Sequence, residues 1–443
     1  MASAAEQLAA NMNLAAFATA TDLKKRIWFT LGALLVYRLG TYIPLPGIDV
    51  QALALVFERN QSGIIGMFDL FAGGAVGRMA IFALNIMPYI TASIVIQLLT
   101  SVVPHLEQLK KEGEQGRKQI NQYTRYGTVL LATMQGYGIA IGLEGAEGVV
   151  TDPGGFFRLS AVITLVGGTV FLMWLGEQVT ARGVGNGISL IIFAGIVAEL
   201  PGALAGTLEL GRQGVLSTFI ILALIVMVVL VIAFIVFMER AQRRLPVQYP
   251  KRQMGNKMTG GDNSHLPLKL NTAGVIPPIF ASSLLLLPIT MANFSGPETG
   301  GALGTITALL GRGQPAYMAL YAAGIIFFCF FYTSIVFNPQ ETADNLKRYG
   351  GFVPGIRPGA RTGEYIDYVL TRLTVVGALY LTLVCLLPEF LISAYNVPFY
   401  FGGTSVLIVV NVTMDTVSQV QNHLFAHQYE GLIKKSKLRG NRR

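Results

Sequence analysis

Charge is scarce in this chain. Only 13 % of its 443 residues are Asp, Glu, Lys or Arg, against 52 % that are hydrophobic; a soluble domain carries roughly 25 % charged residues. So thin a polar coat excludes an ordinary water-soluble globule. Cysteine is rarer still. Cys329 and Cys385 fall in separate apolar stretches, which excludes a disulfide scaffold and a CxxC redox pair. Catalytic patterns are missing as well. His423 and His427 stand four apart in "HLFAH" without HExxH, so no metal site is expected. "GGTS" at 402–405 lacks the GxSxG of a serine hydrolase, and "GVGNG" at 183–187 is not GxGxxG and follows an apolar run rather than a strand. No catalytic residue, cofactor or metal is assigned, and the chain reads as a non-enzyme.

What the chain has is long apolar runs. Ten approach the roughly 20 residues a bilayer-spanning helix needs, at 27–43, 79–103, 126–143, 157–175, 188–200, 215–238, 272–292, 316–337, 373–392 and 403–421. Backbone polar groups in lipid must be satisfied internally, so these runs predict an all-α polytopic membrane protein. The first run follows "LKKR" like a signal peptide, but "TYIPLPG" follows it with no small-residue cleavage site, so it is read as an uncleaved span. With the N-terminus inside, 27 of the 33 Lys and Arg fall on cytoplasmic segments, and the positive-inside rule then puts both termini in the cytoplasm. The remaining six, Arg38, Arg59, Arg78, Arg158, Arg212 and Arg312, fall outside or near outer span ends. A cut at residue 210 leaves five spans on each side, in halves 1–210 and 211–443. Two homologous five-span halves would face opposite ways, with a pathway near their interface.

That pathway does not look like a coupled small-solute carrier. A charge at mid-membrane costs about 2.5–3.5 kcal/mol and persists for function, yet mid-span charge is nearly absent here. Asp415, in "NVTMDTVSQVQN", is the main candidate, and a water-filled vestibule explains it equally well. The spans do carry isoleucine pairs four apart, Ile86 with Ile90 and Ile188 with Ile192, each pair on one helix face. Periodicity alone does not separate these from lipid contact or helix packing. Two long loops, 239–271 and 338–372, exceed the length expected of structureless connections. "RLPVQYP" alternates like a strand or hairpin, and "YGGFVPGIRPG" is a Gly/Pro turn presenting Arg357. Their basic residues suit phosphate-rich RNA or an acidic protein partner. A third segment, "IIGMFDLFAGGAVGR" at 64–78, is apolar, glycine-rich and too short to span.

Four stretches carry a family resemblance: "IFALNIMPYITASIVIQLLTSVVPHLEQLKKEGEQGRKQINQYTRYGT" at 81–128, "FLMWLGEQVTARGVGNGIS" at 171–189, "FNPQETADNLKRYGGFVPGIRPG" at 337–359 and "VPFYFGGTSVLIVV" at 397–410. They closely resemble the SecY family, over about 24–437. The resemblance implies two inverted five-helix halves around an hourglass pore in the bacterial cytoplasmic (inner) membrane. Such a channel passes unfolded secretory polypeptides across the bilayer and releases membrane-protein helices sideways into lipid. It implies SecE and SecG subunits, a SecA motor ATPase, the ribosome, and substrates bearing signal peptides. The family's constriction ring falls on Ile86, Ile90, Ile188, Ile192, Ile279 and Ile408. A short re-entrant plug helix falls on 63–78, with Ile64, Ile65, Met67, Phe68, Asp69, Phe71, Gly73 and Gly74. A lateral gate between the second and seventh spans falls on Thr91, Gln97 and Ser282, for which ordinary helix-to-helix hydrogen bonding is the alternative role. Motor and ribosome contacts fall on Arg243, Arg244, Lys251, Arg252, Lys257 and Arg357. Asn256 stands where relatives often carry a basic residue, and Asn85 where they often carry glycine. In this frame Gly73, Gly74 and Gly77 are expected to hinge the plug, and Asp69 to face vestibule water or to meet a donor that holds the plug shut.

Overall fold

The computed structural model describes residues 21–60, 69, 72–145, 148–214, 217–249, 252–254, 257–259, 263–293, 314–395 and 403–440. In chain order the first helices are α1 (Thr21–Gly40), α2 (Val50–Asn60), α3 (Met87–Val102), α4 (Pro104–Lys111), α5 (Glu114–Glu144), α6 (Gly155–Arg182) and α7 (Gly187–Arg212). After α8 (Thr218–Arg240) come four strands, β1 (Gln242–Gln248), β2 (Arg252–Met254), β3 (Lys257–Thr259) and β4 (Asn263–Lys269). The chain closes with α9 (Ile276–Asn293), α10 (Pro315–Val336), α11 (Pro339–Arg348), α12 (Ala360–Tyr395) and α13 (Gly403–Gly440).

Each of the ten expected spans overlaps one of these helices. Among the described residues, five helical stretches are long and apolar enough to cross a membrane, or six if α3 and α4 count as one span bent by 98°. The bend sits at Val103 and Pro104, where proline lacks the N–H that would continue the ladder. Several helices run past their apolar core. α5 begins twelve residues before the expected span, α12 thirteen before, and α13 continues to Gly440. Hydropathy marks only the lipid-length portion; the polar turns add backbone hydrogen bonds that hydropathy does not register. The second span is shorter than expected. Residues 79–86 are turns, and α3 starts only at Met87, with Pro88 in its first turn.

Threonine hydroxyls inside the helices satisfy themselves. Thr124, Thr128, Thr169, Thr374 and Thr382 each donate to the carbonyl four residues earlier, at 2.7 to 3.0 Å. That removes the cost of an unpaired hydroxyl in an apolar setting.

The chain divides into two compact units, 1–202 with 412–443, and 203–411. The division falls inside α7 and α13. In the first unit α3 packs on α5, α5 on α6, and α1 on α6. The entry to α7 lies so close to α6 that a Cβ on Gly187 would collide with the Gly176 carbonyl. One cluster joins Leu45, Met79, Ala132, Ala140, Phe157, Ala161 and Leu165. In the second unit α10 packs on α9 and α12, and α11 on α12. β1 pairs antiparallel with β4 from Gln242↔Lys269 to Gln248↔Asn263, and β2 pairs with β3.

Candidate functional site

The described part of the glycine-rich segment is a tight, heavily bonded stem. Residues 73–79 are turns rather than helix. Asp69 Oδ1 accepts from the backbone N–H of Val76 at 2.9 Å and of Gly77 at 2.8 Å, and Gly74 N–H donates to the Asp69 carbonyl at 3.0 Å. Burial pushes the Asp69 carboxyl above its ordinary pKa, against the opposing pull of those two N–H groups and of Arg78. The donor sought for Asp69 is thus its own backbone. Ile64, Ile65, Met67, Phe68 and Phe71 lie outside the described residues.

Gly73 and Gly74 take left-handed backbone, φ +66° and +78°. They lie against α7 and neighbouring side chains: a Cβ on Gly73 would stand 2.9 Å from Gly195 Cα, and one on Gly74 2.6 Å from Glu199 Oε1. Arg38 and Arg78 both donate to the Gly73 carbonyl, at 2.6 and 3.1 Å, and Tyr37 donates to the Ala72 carbonyl at 3.2 Å. The glycines here serve close approach. Neither arginine nor Glu199 was singled out by motif reasoning. The signal available was charge at span ends flanking a glycine-rich segment.

Beyond the stem, the turn 79–86 is bracketed by two non-glycine residues in left-handed backbone, Met79 at φ +42° and Asn85 at φ +48°. Phe82 holds this turn, stacked 6.2 Å from Tyr37 and 5.9 Å from Phe171. The turn delivers Ile86 to the start of α3, where it is 1 % exposed, with Ile90 buried one turn on. Ile192 is buried on α7, and Ile188 is half-buried beside Gly176 of α6. These four isoleucines belong to the first unit; Ile279, half-buried on α9, and Ile408, buried on α13, belong to the second.

The three expected gate residues bond locally. Thr91 donates to the Met87 carbonyl at 3.1 Å, Gln97 to Ser93 Oγ at 3.4 Å, and Ser282 to the Ile279 carbonyl at 2.9 Å. Each of these donors is therefore satisfied on its own helix, while the Gln97 Oε1 is buried without a hydrogen-bond partner.

In the second unit the two long loops are one body. Gln248 and Phe352 exchange both backbone hydrogen bonds, at 2.9 and 3.0 Å, adding the second loop to the β1 edge. Leu245 and Leu268 from the hairpin are buried with Ile366 and Val369 of α12, and Leu346 and Phe337 pack against them. The alternation predicted in β1 is present: Leu245 and Val247 face inward while Arg243 and Arg244 are exposed. Arg357 is exposed on its turn, its carbonyl accepting from Thr362 at 2.9 Å. Arg252 lies in β2 and Lys257 in β3. Lys251 and Asn256 lie outside the described residues. At the hairpin base Asn271 donates to Glu239 at 2.7 Å, tying the strands to the end of α8.

A largely α-helical chain of long apolar helices, carrying a structured basic platform, is a multi-pass membrane protein. The family model described as SecY matches residues 80–417, and the chain belongs to the SecY family. It is 58 % identical over 423 residues to the protein translocase subunit SecY of Escherichia coli K12, covering 95 % of this chain and 96 % of that one. Two solved structures share the fold at 20 % identity, each covering 91 % of this chain and 93 % of the other. One is a SecY structure in which the plug domain stabilises the closed state of the translocation channel, TM-score 0.68. The other is Sec61 in the canine ribosome–channel complex of the endoplasmic reticulum, TM-score 0.64.

Proposed function

We propose that this chain is the protein-conducting channel of a bacterial protein translocase, set in the cytoplasmic membrane with both termini inside. The observation that carries the reading is identity of 58 % to a translocase subunit running through nearly the whole chain, and so through both compact units. Ten spans in two inverted halves, 1–210 and 211–443, surround the pore. Ile86, Ile90, Ile188, Ile192, Ile279 and Ile408 form its constriction. Their β-branched side chains are stiff at χ1 and offer water no hydrogen bond, so the ring fits around a moving chain yet resists wetting. Residues 63–78 plug the outer vestibule. Thr91, Gln97 and Ser282 line a sideways exit through which an apolar signal helix partitions into lipid.

The chain performs no chemistry of its own. Energy comes from a SecA-like ATPase or the translating ribosome, and SecE- and SecG-like subunits complete the assembly. The joined basic loops suit both energy sources: Arg243 and Arg244 present bidentate donors to RNA phosphates, and Arg357 on its turn does the same for a carboxylate. The canine Sec61 relative, solved within a ribosome–channel complex, supports the ribosomal half of this reading.

Site-specific crosslinking from positions 86, 279 and 408 to a stalled secretory chain tests the assignment. Adducts at these positions are expected. Their absence at all three, with the chain demonstrably engaged, would sink the pore reading.

A further inference from the structure

The turn at 73–79, which closes the plug segment, is built as a charged clamp, and we propose that Arg38, Arg78 and Glu199 are positioning residues that set how readily the plug leaves the closed channel. This rests on the plug reading of residues 63–78. Arg78 reaches back along its own turn, donating from Nε to the Gly74 carbonyl at 2.9 Å and from Nη2 to the Gly73 carbonyl at 3.1 Å. Arg38 on α1 donates to that same Gly73 carbonyl at 2.6 Å. Two guanidinium groups therefore converge on one oxygen, an arrangement that like charge opposes.

Two groups offset that repulsion. Glu199 Oε1 on α7 lies 3.9 Å from Arg78 Nη2, with both side chains about one third exposed. The Tyr42 ring takes the cations on its face, 4.2 Å from Arg78 Cζ and 4.9 Å from Arg38 Cζ, and its hydroxyl accepts from Arg38 at 2.9 Å. The clamp thus binds carbonyls of the stem to α1 and holds the stem against α7. Because Gly73 packs on Gly195 Cα and Gly74 on Glu199, the stem has no room to swing in place. Moving the turn at 73–79 therefore requires the breaking of the clamp. Neutralising Glu199 leaves Asp69 as the remaining carboxylate near the two cations, and removing the Arg78 guanidinium frees the Gly74 carbonyl and leaves the Gly73 carbonyl to Arg38 alone.

The test is the resting conductance of the assembled translocase in planar bilayers, with no substrate present. Arg78→Gln is expected to raise resting opening about tenfold, near the factor that one hydrogen bond to a charged group is worth, and Glu199→Gln, which removes a part-exposed ion pair at 3.9 Å, about threefold. Arg78→Lys keeps the charge and a donor, and is expected to recover most of the seal; a merely structural role would not separate Lys from Gln in this way. A channel lacking residues 64–71 is measured alongside. If that deletion leaves conductance unchanged, the plug reading itself fails. If the deletion leaks while Glu199→Gln and Arg78→Gln seal like the unaltered channel, the clamp alone is overturned. Should Arg78→Gln not accumulate in the membrane, the isosteric Glu199→Gln carries the test.

Discussion

At Asn85 the backbone is left-handed, φ +48°, and the side chain is 2 % exposed. Most L-residues lose roughly 1–2 kcal/mol there, while glycine loses nothing to sterics and asparagine is among the side chains that bear it best. The glycine that the family resemblance puts at this position therefore answers to the turn. Asn85→Gly is expected to lower the unfolding midpoint of the purified protein less than Asn85→Val, whose β-branched side chain costs about 2 kcal/mol in this backbone. Equal midpoints for the two variants would refute the backbone explanation. The same scale explains what sequence reading missed. Arg38 and Arg78 register in the sequence as charges at outer span ends. Their partners are the carbonyls of Gly73 and Gly74, which every residue possesses and no motif marks. Asp69 was visible as a misplaced carboxylate, but its two N–H donors, seven and eight residues on, come into reach only through the glycine turn.

Among the elements, legibility followed periodicity. Apolar runs located the helices, and the alternation of "RLPVQ" located β1, because each pattern reflects burial on one face. Helix ends were harder, since α5, α12 and α13 continue as polar turns. The start of α12 is helical for a reason outside its own hydropathy: Ile366 and Val369 bury against Leu245 and Leu268 of a hairpin about a hundred residues earlier. Nor did either loop signal that Gln248 and Phe352 would join them into one sheet edge. This junction bears on how Arg357 acts. The turn is fixed by the Thr362 bond to the Arg357 carbonyl, which any side chain at 357 preserves. Arg357→Glu is accordingly expected to leave membrane accumulation and unfolding within about 0.5 kcal/mol of the unaltered channel. On the proposed reading, in which Arg357 meets a carboxylate of the motor, export driven by that motor is expected to fall at least several-fold, because like charge then faces like charge. Normal export by this variant would remove Arg357 from the contact surface.

On the scale of the whole molecule, a protein-conducting channel has to stay sealed to ions while remaining able to admit a polypeptide, and the proposed ring and the proposed clamp are two physically different barriers for that need. A ring of isoleucines at the proposed positions would act by dewetting, so that its strength scales with the apolar surface it presents. The proposed clamp would act by charge and hydrogen bonding instead. Replacing Ile86, Ile192 or Ile408 with Asn places an amide where water can bond, and is expected to raise resting conductance about tenfold whichever unit carries the change. Independent barriers should combine multiplicatively, as free energies of uncoupled sites add. A channel with both Ile408→Asn and Glu199→Gln is therefore expected to leak by roughly the product of the two single effects. A double variant that leaks no more than the worse single one would mean that ring and clamp are one barrier, with the plug sealing only through the ring.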